Sequence, residues 1–277
     1  MELTLGKQIQ KLDAPLVMGI VNITPDSFYP QSRHVTPAEV FATIERMAEE
    51  GAGIIDLGAA SSRPGALTLD PAQEWARLAS VLKALRAHFP DTLFSIDTNF
   101  SRIVEQAYDL IGPCIINDIS SGEDDPNMFS VAARLQLPLV AMHKRGTPLT
   151  MQQNTLYTDI VAEVHHYFAS TLAHAKEAGV PQIILDPGFG FAKTTEQNYA
   201  LLSHLSLLFD FPNVPRMIGI SRKSMVYKLL EITPQEALPA TSALHLYALQ
   251  QGVDILRVHD VAQAVQVVRL FEMLYSD

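Results

Sequence analysis

Nine polar side chains fall where a short apolar run of this 277-residue chain stops or has just stopped: Asn22, Asp56, Asp97, Asn117, His143, Asp186, Lys223, Arg257 and His259. Asp97, Asn117 and Asp186 together suit a flat heterocycle. Carboxylates accept from ring N–H groups, and a carboxamide meets an edge that mixes donors with acceptors. Lys223, Arg257 and His259 bring cationic groups for ring acceptors and for an oxyanion. Two carboxylates alone would also suit the acid and base of a glycosidase, but a neutral sugar has no use for the neighbouring cations. Asn22 offers a neutral oxygen to a Mg²⁺ that keeps most of its waters, and the Thr24-Pro25-Asp26 turn after it is the competing use. The Ser61-Ser62-Arg63-Pro64-Gly65 stretch reads as a loop with one guanidinium and two hydroxyls for an anion. Asp186-Pro187-Gly188-Phe189-Gly190 lacks the spacing of a phosphate loop or a dinucleotide fingerprint. It reads as a pocket wall, with Phe189 beside a flat ring. His143 and His259 each have a plainer alternative as satisfied core histidines.

Strands and helices must carry these groups to one place. The apolar runs cover residues 16–22, 53–58, 93–97, 114–118, 137–143, 182–186, 216–221 and 254–259. They are short, nearly continuous and rich in Ile, Val and Leu, as strands buried on both faces are. Helical stretches lie between them. Thr36-Pro37 and Asp70-Pro71 each pair an N-cap with proline at the first helical position, and Gly51 closes the first of these helices. Residues 72–88, 158–178, 240–250 and 261–275 have helical character. Eight strands alternating with helices predict a single (β/α)8 TIM barrel over 1–277, with an open doubly wound sheet as the alternative. In a barrel all nine polar positions meet at the C-terminal rim, where such folds build active sites.

Composition narrows the class. The 48% hydrophobic content supports a substantial core, yet no run approaches the roughly 18 apolar residues of a membrane span. A net charge of −10 argues against nucleic-acid binding, though a few focused cations can still hold a small anion. One cysteine, Cys114, excludes an internal disulfide and a cysteine-rich metal site. With no secretion signal near Met1, the expected location is cytoplasmic.

Eight segments, in order, resemble the signatures of the dihydropteroate synthase family: NITPDSF, SRPGA, SIDT, NDIS, MHKRGTPLTMQ, ILDPGFGFAKT, GISRKS and RVHD. The resemblance runs from Gly19 to Asp260. It implies condensation of 6-hydroxymethyl-7,8-dihydropterin pyrophosphate with p-aminobenzoate, assisted by Mg²⁺, in a homodimer joined through its last helices. It places the pterin pocket on Asp97, Asn117, Asp186 and Lys223. The pyrophosphate and Mg²⁺ roles fall on Asn22, Arg63, Arg257 and His259, and p-aminobenzoate binds by Ser62 and Arg63. Asp56, Met142, Phe189, Gly219 and Ser224 complete the expected substrate-binding set. The catalytic roles are expected on Asn22, Arg63, Lys223, Arg257 and His259. Three departures from the family pattern stand out: Pro30 replaces a loop Asp, Ala60 replaces a Glu, and Ser62 replaces a Thr. They leave room for a non-catalytic pterin-binding paralogue. A methyltransferase using a reduced folate and a corrinoid protein would share the Asp/Asn pocket but would not need the cations.

Overall fold

An aliphatic run without polar alternation must be covered on both faces, and the eight runs find that cover in one parallel sheet with helices outside it. In the computed structural model, which describes residues 2–6, 8–11, 14–23, 36–60, 69–147 and 149–275, a hairpin of β1 (Glu2–Leu5) and β2 (Gln8–Lys11) comes first. There follow β3 (Leu16–Asn22), α1 (Pro37–Glu49), β4 (Ile54–Gly58), α2 (Pro71–His88), β5 (Phe94–Asp97), α3 (Ser101–Ile111), β6 (Ile115–Asp118), α4 (Met128–Leu135) and β7 (Leu139–Met142). The second half holds α5 (Ile160–Ala178), β8 (Ile183–Asp186), α6 (Thr195–Ser203), α7 (Leu205–Leu208), β9 (Met217–Ile218), α8 (Ser224–Tyr227), α9 (Leu238–Gln250), β10 (Ile255–Val258) and α10 (Val261–Tyr275). The sheet order is β8-β7-β6-β5-β4-β3-β10-β9. A parallel bridge between Leu185 and Arg216 joins the two ends, so the sheet closes into a barrel and the open alternative falls.

Local signals behave as their chemistry requires. Thr36 and Glu39 form a reciprocal capping box at α1, and the Asp70 carboxylate accepts from the Ala72 N–H at α2. Asp159 caps α5, which begins at Ile160. The helices α3, α4 and α6 carry weaker sequence signals, and the N-terminal hairpin has none beyond Gly6. Among the described residues no helix is long and apolar enough to cross a membrane.

The hairpin has a structural task. Leu3, fully buried, packs with Met18, Ile54, Ile115, Val140, Ile184, Met217 and Ile255, one inward side chain from each of seven barrel strands. The Gln182 amide, at the foot of β8, donates to the Glu2 carbonyl at 2.7 Å and accepts from the Thr4 N–H at 2.9 Å. The hairpin thus plugs the N-terminal end of the barrel and leaves the opposite end as the mouth.

Leu3→Ala should lower unfolding stability by about 3 kcal/mol, the usual cost of an Ala at a closed core site. Urea unfolding followed by circular dichroism measures this. A loss below about 0.5 kcal/mol would mean the hairpin is a loose appendage.

Candidate active site

Side chains along a strand alternate faces with period two, so the apolar plug fixes what points inward above it. Two residues beyond the plug positions lie Ile20, Asp56, Asn117, Met142, Asp186, Gly219 and Arg257. Four beyond lie Asn22 and His259, and β5 supplies Asp97 in the same phase. Every position named here but Ile20 belongs to the set expected from the sequence, which also left out Ser95, buried on β5 opposite Asp56. Ile20 was missed, although the same period identifies it.

Arg257 is the hub. Its Nε donates to Asp56 Oδ2 at 2.8 Å, and its Nη2 lies 2.7 Å from Asp56 Oδ2 and 2.8 Å from Asp97 Oδ2. The Asn117 amide donates to the same Asp56 oxygen at 3.0 Å. Among the described residues, Asp56 Oδ2 therefore takes every contact and the buried Oδ1 has no hydrogen-bond partner. Burial pushes Asp97 up to about 7, with Asp56 adding to that effect and Arg257 opposing it. Asp97 is not a helix cap: α3 begins after Phe100, and the Ser101 N–H is taken by Asp125 at 2.8 Å.

Across the mouth stand Asp186 and Lys223. The Asp186 carboxylate accepts from the Gly188 N–H at 2.8 Å. Burial raises its pKa against the pull of Lys223, that N–H, Arg257 and Lys193. Lys223 Nζ donates to the Phe189 carbonyl at 2.5 Å and lies 4.8 Å from the centre of the Phe191 ring. Burial lowers it to about 8, with Asp186 working in the opposite direction. A Cβ added at Gly219 would stand 3.9 Å from both Lys223 Nζ and Arg257 Cβ, so the bare glycine leaves space between the two cations.

Several expectations change in the structure. Phe189 turns its ring into the hydrophobic core and offers its carbonyl instead; Phe191 is the aromatic beside Lys223. His259 lies 3.3 Å from Ser221 Oγ, and burial beside Arg257 lowers it to about 4. It is a neutral donor or acceptor at pH 7 rather than a cation. His143, next to inward-facing Met142, has the opposite phase and sets its ring edge-on to Tyr167 of α5, with centroids 4.9 Å apart. It is a core histidine. Ser224 opens α8 directly after Lys223. A cavity of about 940 Å³ lined by His143, Lys144, Arg145 and Tyr167 among others holds none of the inward set and lies outside the mouth.

Ser62, Arg63 and Pro30 lie outside the described residues. Among the described residues, no three carboxylate, imidazole or thiol groups could enclose a metal ion. Asn22, half-buried at the end of β3, offers one neutral oxygen. That fits a magnesium only as an ion brought in on phosphate oxygens and retaining waters, not one held by the protein alone.

The mouth thus presents two carboxylates and an amide around one guanidinium, faced by a third carboxylate and a lysine. Residues 18–259 match the family described as pterin binding enzyme. The dihydropteroate synthase of Escherichia coli strain K12 is 39% identical over 267 residues, covering 96% of this chain and 93% of its own. The Yersinia pestis dihydropteroate synthase, solved with a sulfonamide drug complex, superposes with a TM-score of 0.93 at 36% identity over 100% of both chains. The Thermus thermophilus dihydropteroate synthase in complex with 4-aminobenzoate gives 0.88 at 35% identity, over 99% of this chain and 100% of its own. With the barrel, its mouth and these likenesses in agreement, this chain is an enzyme of the pterin-binding family and belongs to its dihydropteroate synthases.

Proposed function

We propose that the barrel mouth joins 6-hydroxymethyl-7,8-dihydropterin pyrophosphate to p-aminobenzoate by a largely dissociative substitution. The observation that carries this reading is the convergence of Asp56, Asp97, Asn117, Asp186, Lys223 and Arg257 at the barrel mouth. A pterin edge carries N–H donors for carboxylates, and its carbonyl and ring nitrogens suit Lys223. The orphaned Asp56 Oδ1 is a buried acceptor whose pairing with a ring donor would recover about 1–3 kcal/mol.

In the reaction the pterin CH₂–O bond breaks and its electron pair leaves with pyrophosphate. The aniline nitrogen lone pair forms the new C–N bond, and that nitrogen then gives up a proton to water or phosphate. Asp97 and Asp186 stabilise positive charge spreading into the ring, and Arg257 and Arg63 stabilise the departing oxygens. His259, being neutral, contributes a hydrogen bond there rather than charge. Asn22 would hold a magnesium ion that, when bound, would supply further neutralisation of the leaving group. The covalent chemistry needs no enzyme nucleophile.

Arg257 links the two halves of the substrate. Without substrate its guanidinium is occupied by Asp56 and Asp97. When the ring's donors take over Asp97, Arg257 is released toward the diphosphate. A homodimer is supported by the apolar stripe Leu270, Met273 and Leu274, spaced i, i+3, i+4 on α10 and 60%, 86% and 63% exposed. The buried free thiol of Cys114 agrees with a cytoplasmic location.

Dihydropteroate formation from the two substrates, with and without Mg²⁺, tests the reaction. Pterin bound without product would instead favour a non-catalytic paralogue. The pH dependence of kcat/KM for the pterin substrate should be bell-shaped, since this ratio reports free-enzyme groups. It should fall below about 7 as Asp97 takes a proton. It should also fall above about 8 as Lys223 loses one. Lys223→Arg should abolish the alkaline fall; its persistence would assign that limb to another group. Asp97→Asn, by loosening Arg257, should tighten binding of inorganic pyrophosphate about tenfold, the worth of part of a charge-assisted hydrogen bond. Asp186→Asn removes the same charge without a contact to Arg257 and should change it much less. Equal effects in calorimetric titration would reduce the coupling to simple charge. Leu274→Glu should shift the sedimenting species from dimer to monomer, and a variant that stays dimeric would place the interface elsewhere.

A further inference from the structure

Behind the mouth lies a charged residue that the reaction leaves unused. Lys193, in the loop between β8 and α6, is only 4% exposed. Its Nζ donates to the carbonyls of Phe191, Gly188 and His143 at 2.9, 3.0 and 3.2 Å. All three ammonium protons are therefore used, and every partner is backbone. Burying an ammonium this way carries a large desolvation cost, which burial also registers by driving its pKa well down. An apolar side chain of similar length would fill the space without that cost, so the three hydrogen bonds are what distinguishes the lysine.

The loop it holds is not self-supporting. Gly188, Gly190 and Ala192 sit at φ of +67°, +84° and +51°, and the last is a conformation a non-glycine residue rarely adopts. At Gly188 a Cβ would stand 2.1 Å from the His143 carbonyl, so the loop presses directly on the end of β7. This same stretch aims the Gly188 N–H at Asp186, and the Phe189 carbonyl and Phe191 ring at Lys223. Asp186 itself faces Lys223, Arg257 and Lys193.

We propose that Lys193 is a positioning residue for the ring-binding pair, clamping the end of β7 to the loop that orients Asp186 and Lys223. The proposal rests on the pterin reading of that pair. It makes Lys193 a determinant of pterin affinity although it does not touch the substrate.

The test titrates 6-hydroxymethylpterin into the wild type, Lys193→Met, Asp186→Asn and the double variant by calorimetry. Wild-type binding checks the ring site independently, and its absence would overturn that reading and this proposal with it. With binding present, Lys193→Met should stay folded by circular dichroism and bind at least about tenfold more weakly. In the Asp186→Asn background the same change should cost less than about threefold, because one function is lost twice. Lys193→Gln keeps two N–H donors and guards against a methionine variant that does not fold; its affinity should lie between. Folded variants with wild-type affinity, or losses that simply multiply in the double variant, would overturn the proposal. Collapse of both the methionine and glutamine variants would also overturn it, by making Lys193 a determinant of the fold rather than of the site.

Discussion

Holding one guanidinium between two carboxylates at the mouth of an apolar barrel is the constraint around which this molecule is organised. Arg257 reaches Asp56 and Asp97 on the two strands beyond β3, so the cluster spans four of the eight strands of the barrel wall. Such buried ion clusters are poor stabilisers, since desolvation offsets most of the attraction. The apolar plug below, with Leu3 at its centre, must supply the stability that the mouth does not. What the cluster gives in return is a set of charges already stripped of much of their water and fixed in place, which suits stabilising charge that develops during a reaction.

The same logic explains how a chain of net charge −10 can take an anionic substrate. Lys223, Arg257 and Lys193 gather at one end of the barrel, each facing or influencing Asp186. The carboxylates they meet belong to the site rather than to the outer surface. Field lines converge on the mouth because the walls around it are dry, whatever the sign of the remaining surface. Histidine adds little to that field, since burial beside Arg257 keeps His259 neutral.

Much of this was legible in the sequence because a barrel strand converts position into direction. Once Met18, Ile54, Ile115 and Ile184 face inward, Ile20, Asp56, Asn117 and Asp186 must do so too, and the apolar runs mark where each strand stops. Helices opened by Thr36-Pro37 and Asp70-Pro71 were legible for a similar reason: the cap chemistry is local. Loops have no such period. Nothing in Gly188-Phe189-Gly190-Phe191 says which ring turns to the core, so Phe189 was placed in the pocket and Phe191 overlooked. Lys193 resembles any loop lysine until its three carbonyl partners are seen. The hairpin was missed because nothing in its sequence marks Leu3 as the side chain that closes the barrel floor. His259 was read as a cation because desolvation is a property of the fold and not of the residue.

Binding of the ring at Asp97 is expected to hand Arg257 over to the diphosphate. A crystal structure of the protein with 6-hydroxymethylpterin and inorganic pyrophosphate bound together measures it directly. The guanidinium should leave Asp97, now 2.8 Å away, and take a phosphate oxygen, while ring N–H groups occupy the vacated carboxylate. If both ligands are bound in the mouth and Arg257 still bridges Asp56 and Asp97 without contacting phosphate, the hand-over is contradicted.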